Sequence, residues 1–195
     1  MGKSAREGDE ARFLAAMFAP EDRREALFAL IAFNLELAKI PASVSTPLLG
    51  EIRLTWWREA LEDLFARDLA GGHEVIVALA EARRRAPVDR ALLERMIDAR
   101  LYALEPGGSA DRAGLYDFLA GTGGALAAAG VRALGGDDGA ASVAALAGWA
   151  EGAGRLIAAL PGLIAGGGGA PMIAGMDMNA LREGRAPAAL TGALR

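Results

Sequence analysis

Apolar residues recur at helical spacing along nearly all of this 195-residue chain, and no run of four or more alternates as a half-buried strand would. Pro20 followed by Glu21 and Asp22 suits a first helical turn, and an apolar band then runs through Leu27, Phe28, Leu30, Ile31, Leu35 and Leu37. A band that wide exceeds one face, which predicts a central helix. Thr46 and Pro47 read as cap and first residue of the next helix. There Ile52, Trp56, Ala60, Leu61, Leu64 and Phe65 form the predicted buried face, while Arg53, Arg58, Glu59, Glu62 and Asp63 fall largely elsewhere. Adjacent residues cannot share a helix face, so one of Trp56 and Trp57 is expected in the core and the other at a groove or interface. Further helices are predicted at about 74–85, 88–104, 111–134 and 139–160, the second carrying a stripe of Leu92, Leu93, Met96, Ile97, Leu101 and Leu104. The predicted fold class is all-α.

Composition narrows the chemistry. At 53% apolar residues the chain can bury one well-formed core and does not require two. The absence of cysteine excludes disulfides, thiolate nucleophiles and Cys-ligated metals. The single histidine, His73, rules out a multi-histidine site within one chain and reads as a turn or helix-start residue. A net charge of −4 argues against nucleic acid as a partner. The densest basic run, Arg83-Arg84-Arg85, has Glu81 and Asp89 beside it and suits a helix C-terminus. The opening MGKSAREGDEAR is polar throughout and unlike a leader, so a cytoplasmic location is expected. Leu156–Met176 has membrane-span length without charge, yet six glycines and two prolines make it a poor lipid-facing helix, and no transmembrane segment is predicted. Only five of the 26 glycines lie in residues 1–100, so the second half is expected to be the looser one.

The stretch from Arg12 through Phe65, with Phe13, Pro20, Ala29, Ala32-Phe33 and Trp57 as landmarks, resembles the start of the squalene/phytoene synthases. In those head-to-head prenyl transferases, A-F-x-x-R-x-x-D-x-x-x-D supplies two carboxylates on one helix face, which hold the Mg²⁺ ions that grip a prenyl diphosphate. Aligned on Ala32-Phe33, the two aspartate positions fall on Ala38 and Ala42, the arginine falls on Leu35, and Pro41 sits within the motif. The second aspartate motif of the family corresponds to GWAEGAGRLIAALPGLIAG at 148–166. Gly148 and Ala150 match, and the Gln, Asn and two Asp positions fall on Gly152, Arg155, Ala159 and Leu163. Between these motifs, MIDARLYALE and LYDFLAGTGG retain Asp98, Leu104, Ala120-Gly121-Thr122 and Gly124. The stretch AFNLELAKIPASVSTPLLGEIRLTWWREALEDLF is closer still to the aspartate-poor branch that includes respiratory complex I assembly factors.

The resemblance implies an isoprenoid-synthase-like antiparallel helical bundle, truncated at the C-terminus relative to the family. Residues 1–11 are expected as a flexible N-terminus, 12–165 as the helical domain and 166–195 as a Gly/Pro-rich tail with a short helix at Met178–Arg182. It further implies a non-catalytic domain that binds a prenyl lipid or a membrane-complex subunit, peripheral to the inner membrane, with no cofactor. The alternative it leaves open is an active head-to-head prenyl-diphosphate synthase, which would need Mg²⁺; a generic helical interaction module is the third. Candidate lipid-groove or interface residues are Phe33, Asn34, Trp56, Trp57 and Gly121. No metal site is predicted. Glu94 and Asp98, at i, i+4 spacing, are the pair that would take that role, although ion pairing with Arg95 and Arg100 explains them equally well.

Overall fold

The computed structural model describes residues 2–104, 112–166 and 183, and every regular element among them is helical. The order is α1 (Gly2–Gly8), α2 (Glu10–Met17), α3 (Glu21–Ser43), α4 (Pro47–Arg67), α5 (Glu74–Arg83) and α6 (Arg90–Tyr102), then α7 (Arg112–Leu119), a π-helical turn (Ala120–Gly124), α8 (Ala125–Ala133) and α9 (Asp138–Gly166). Local side-chain caps start many of these helices. The Asp9 carboxylate accepts from the Arg12 amide at 3.2 Å, His73 Nδ1 from the Val75 amide at 3.2 Å, Asp89 from the Ala91 amide at 2.9 Å and Asp137 from the Ala140 amide at 2.8 Å. His73 is thus a helix-start residue, as its position after two glycines predicts. The tail from 167 onward, Glu183 apart, lies outside the described residues, and so does the short helix predicted at Met178–Arg182.

Helix α3 is central, packing against α1, α2, α4, α5, α6 and α8. Ala29, Leu30, Phe33 and Leu37 are essentially inaccessible, and Phe28, Ile31 and Ile40 nearly so. Among the described residues α3 is the one helix long and apolar enough to cross a membrane, and more than half of its apolar window is buried in the bundle. Its all-round apolarity is what a core helix needs. Pro41 lies within α3, close enough to the end at Ser43 that its missing N–H weakens only the last turn.

Three expectations are corrected. The buried face of α4 comprises Gly50, Leu54, Trp57, Leu61 and Leu64, whereas Ile52 is exposed and Trp56 is 39% exposed. The hydrophobicity of Ile52 and Trp56 drew the predicted stripe about one position off the true one, which runs at spacings of four, three, four and three and includes a glycine. Residues 1–11, expected as a flexible N-terminus, contain α1 and the start of α2, with Phe13 stacked on Phe28 at 5.2 Å. The helix predicted over 111–134 is not uniform. At Ala120–Gly124 it widens to π geometry, with Thr122 Oγ1 donating to the Phe118 carbonyl at 2.7 Å. There Gly123 and Gly148 bring the backbones of the π turn and α9 into contact, so that a Cβ on either would overlap the other's carbonyl oxygen.

Trp57 is 5% exposed, edge-to-face with Phe33 at 5.4 Å and with His73 at 4.9 Å. Replacing Trp57 by Ala is expected to cost about 3–5 kcal/mol. Trp56→Ala, at a residue 39% exposed, is expected to cost less than Trp57→Ala, although it gives up edge contacts with Trp57 and His73. Thermal melts of the two variants check the order; equal losses would refute the assigned face.

Candidate functional site

An open apolar cavity of about 490 Å³ lies between α2, the α2–α3 corner, α3 and α8. Its walls are carbon-rich, with Leu27, Leu30 and Ile31 from α3, Leu126 and Val131 from α8, and Ala15 and Ala16 from α2. Phe18, 92% exposed, stands beside it in the α2–α3 corner, and Leu134 borders the far side. Among the described residues that line it, Arg12 is the one with a charge.

Arg12 also belongs to a polar network that the sequence did not reveal. Its guanidinium donates to Asp9 at 2.6 Å and to Glu151 at 2.9 Å, while Arg155 donates to Asp9 at 3.0 Å and Glu151 at 2.9 Å. Two carboxylates and two arginines thereby tie the start of α2 to the middle of α9. Deeper in, Arg100 on α6 is 9% exposed and donates through Nη2 to Asn34 Oδ1 at 2.9 Å, while its Nε is buried without an acceptor. Its guanidinium carbon lies 5.8 Å from the centre of the Phe118 ring. Arg100 follows Leu93, Met96 and Ile97 on the buried face of α6, and that register is the signal in the sequence that could have found it.

Burial and the neighbouring Arg12 charge push the Arg100 guanidinium down to about 10, so it remains a cation at neutral pH, buried without a carboxylate partner among the described residues. Burial alone would raise the Asp9 carboxyl. The hydrogen bond from Arg155, the Arg12 amide and both guanidinium charges outweigh burial and hold it below the ordinary carboxylate range.

The sequence-derived candidates divide between two regions. Phe33 and Trp57 are core residues, and Asn34 anchors Arg100. Trp56 and Trp57 border a second cavity, about 480 Å³, with Lys39, Arg53, Gly72 and His73 on its rim. Gly121 lies in the π turn, where a Cβ would come within 2.5 Å of the Ala99 methyl, so helix packing accounts for its small size. Glu94 accepts from Arg90 at 2.7 Å and Asp98 from Arg58 at 2.5 Å, partners other than the Arg95 and Arg100 expected for them. Ala38 and Ala42 on α3 and Ala159 on α9 are exposed, away from the apolar cavity. Among the described residues no three acidic or histidine side chains converge as a metal-binding group.

The family model described as squalene/phytoene synthase matches residues 5–159, which takes in every helix of the bundle at least in part. The chain belongs to the squalene/phytoene synthase family. Within this family, the chain is similar to NADH dehydrogenase (ubiquinone) complex I, assembly factor 6. It is 34% identical to the Bos taurus protein, 32% to the Homo sapiens protein and 35% to the Rattus norvegicus protein, each over 95 residues. That stretch is 49% of this chain and only 28% of each relative. No solved structure matches the chain.

Two stability measurements test the polar network. An acid whose folded pKa is depressed contributes stability above its unfolded pKa and loses it as pH falls through the folded one. The advantage of the wild type over Asp9→Asn is therefore expected to be constant from pH 7 to about 4 and to shrink below that, by urea denaturation at each pH. Asn34→Leu, which strips Arg100 of its hydrogen-bond acceptor, is expected to cost about 1–3 kcal/mol. Adding Arg100→Met should restore most of that loss, because the buried charge leaves with its partner; a double variant weaker than Asn34→Leu would contradict this account.

Proposed function

We propose that this squalene/phytoene synthase-family chain is a non-catalytic helical domain that binds a prenyl lipid or a membrane-complex subunit, acting in assembly of a respiratory complex. The observation that carries the reading is the pairing of an apolar cavity with methyl groups at the resembled metal positions. Ala38 and Ala42 on α3 and Ala159 on α9 offer no oxygen ligand, and Leu163 follows Ala159 in the same motif. Such side chains do not fit a Mg²⁺–diphosphate site, since Mg²⁺ requires oxygen ligands and ionisation of a diphosphate needs the charge they hold. A prenyl chain needs only apolar burial, roughly 0.8 kcal/mol per CH₂, which the cavity walls supply.

The similarity to complex I assembly factors supports the choice of partner. So does α9, where Val143, Leu146 and Ile157 project from the bundle along one face. Exposed apolar side chains in such a row are what a docking helix or sheet would cover. We place the protein in the cytoplasm, peripheral to the inner membrane.

Farnesyl diphosphate incubated with the purified protein is expected to release no inorganic diphosphate, with or without Mg²⁺. Farnesol is expected to bind with an affinity that Mg²⁺ leaves unchanged. Mg²⁺-dependent release of diphosphate would instead establish a head-to-head prenyl transferase. In cells, deletion of the gene is expected to leave respiratory complex I subassemblies on native gels, and unaltered complex I would remove the assembly role.

A further inference from the structure

We propose that the outer face of α9 is an interface with a second copy of this chain, in which the two α9 helices run antiparallel about a two-fold axis at Ala150. α9 is apolar on both sides. Its inner face, which includes the buried Ala141 and Gly148, packs on α8 and the π turn, while Val143, Leu146 and Ile157 stand exposed on the outer one. Asp138, Glu151 and Arg155 are the only charged residues along its 29 positions, and Glu151 and Arg155, on its flank, are already paired within the chain to Arg12 and Asp9. A helix apolar around its circumference is normally covered on all sides.

The order of side-chain sizes on that face selects a second copy as the cover. Val143, Leu146, Ala150, Gly154 and Ile157 follow one another at intervals of three, four, four and three, a pattern that reads the same in both directions. In an antiparallel pair centred on Ala150, Val143 therefore lies opposite the second copy's Ile157, and Leu146 opposite its Gly154, each contact being made twice as an isologous interface requires. Gly154 supplies the gap that Leu146 needs. A Cβ on Gly154 would meet nothing within 4 Å, so packing among the described residues does not account for a glycine there, whereas Gly123 and Gly148 are each confined by the other's carbonyl oxygen. Glycine weakens a helix interior, and the space it opens admits a leucine from outside. The bulkier Val143 and Ile157 lie farther from the axis, where crossing helices diverge. The row from 143 to 157 is about 21 Å long at 1.5 Å per residue. One helix width of that length is small beside the roughly 800 Å² per partner of a standard interface, so the dimer is a reversible one.

Sedimentation velocity of the full chain over a micromolar-to-millimolar series tests this. The wild type is expected to pass from monomer to dimer as concentration rises. Gly154→Leu fills the gap and is expected to stay monomeric throughout with no fall in melting temperature, because the added side chain starts in open space and a helix interior favours leucine over glycine. Leu146→Ala removes the inserted side chain and is expected to weaken the dimer. The double variant, Leu146→Ala with Gly154→Leu, exchanges the large and small positions and is expected to recover dimerisation, which follows only from the antiparallel register about Ala150. The chain has no cysteine, so Val143→Cys and Ile157→Cys, both at exposed positions, give a second measurement should Gly154→Leu not fold. Mixed and oxidised, these two variants are expected to yield a disulfide-linked dimer, and each oxidised alone far less of it. A monomeric wild type at every concentration would overturn the proposal and leave the face to a complex subunit, with the reading under Proposed function intact. A dimer that persists in Gly154→Leu, a double variant no better than its parents, or equal cross-linking by each cysteine variant alone would also overturn it.

Discussion

Burial of α3 on almost every side is the constraint to which the other helices answer. A helix that is apolar around its circumference cannot lie at a water interface, so it requires neighbours on all flanks, and α1, α2, α4, α5, α6 and α8 supply them. The arrangement also decides where a cavity can form. On the side of Leu27, Leu30 and Ile31 the facing residues of α2 and α8 are largely alanine and glycine, which bring helices close without filling the space between them. The cavity is thus a by-product of small residues opposite large ones.

The polar network follows a different logic. Asp9, Arg12, Glu151 and Arg155 satisfy one another, joining α2 to α9 across the bundle in partly exposed pairs of modest individual worth. Arg100 is the exception: among the described residues its guanidinium has the Asn34 oxygen and the Phe118 ring beside it and no carboxylate.

The architecture was largely legible in the sequence, because helical periodicity, the Thr46-Pro47 start and the apolar width of residues 27–37 are local signals. The face of α4 was misread because Gly50 carries no hydrophobic weight and Ile52 carries too much, although packing depends on register rather than on hydrophobicity alone. The π turn was invisible for a related reason: AGTGG announces only small residues, and Gly148, against which the turn packs, lies far along the chain. Asp9, Arg12, Glu151 and Arg155 were hidden by distance in sequence, their pairs spanning about 140 residues. Arg100 alone was readable, as a charge in a buried register.

The π turn at Ala120–Gly124 has a consequence for how this chain tolerates changes of length. A π turn accommodates one residue more than the α-helix it interrupts, and losing that residue would let α7 and α8 merge into one regular helix. Merging would rotate α8 by about 100° relative to α7, since each helical residue advances by that angle. Leu126 and Val131 would then swing out of the cavity wall, and the Gly123–Gly148 approach would be lost in the same movement. A single-codon deletion in this segment, conservative by the measure of composition, would act as a change of topology for everything downstream.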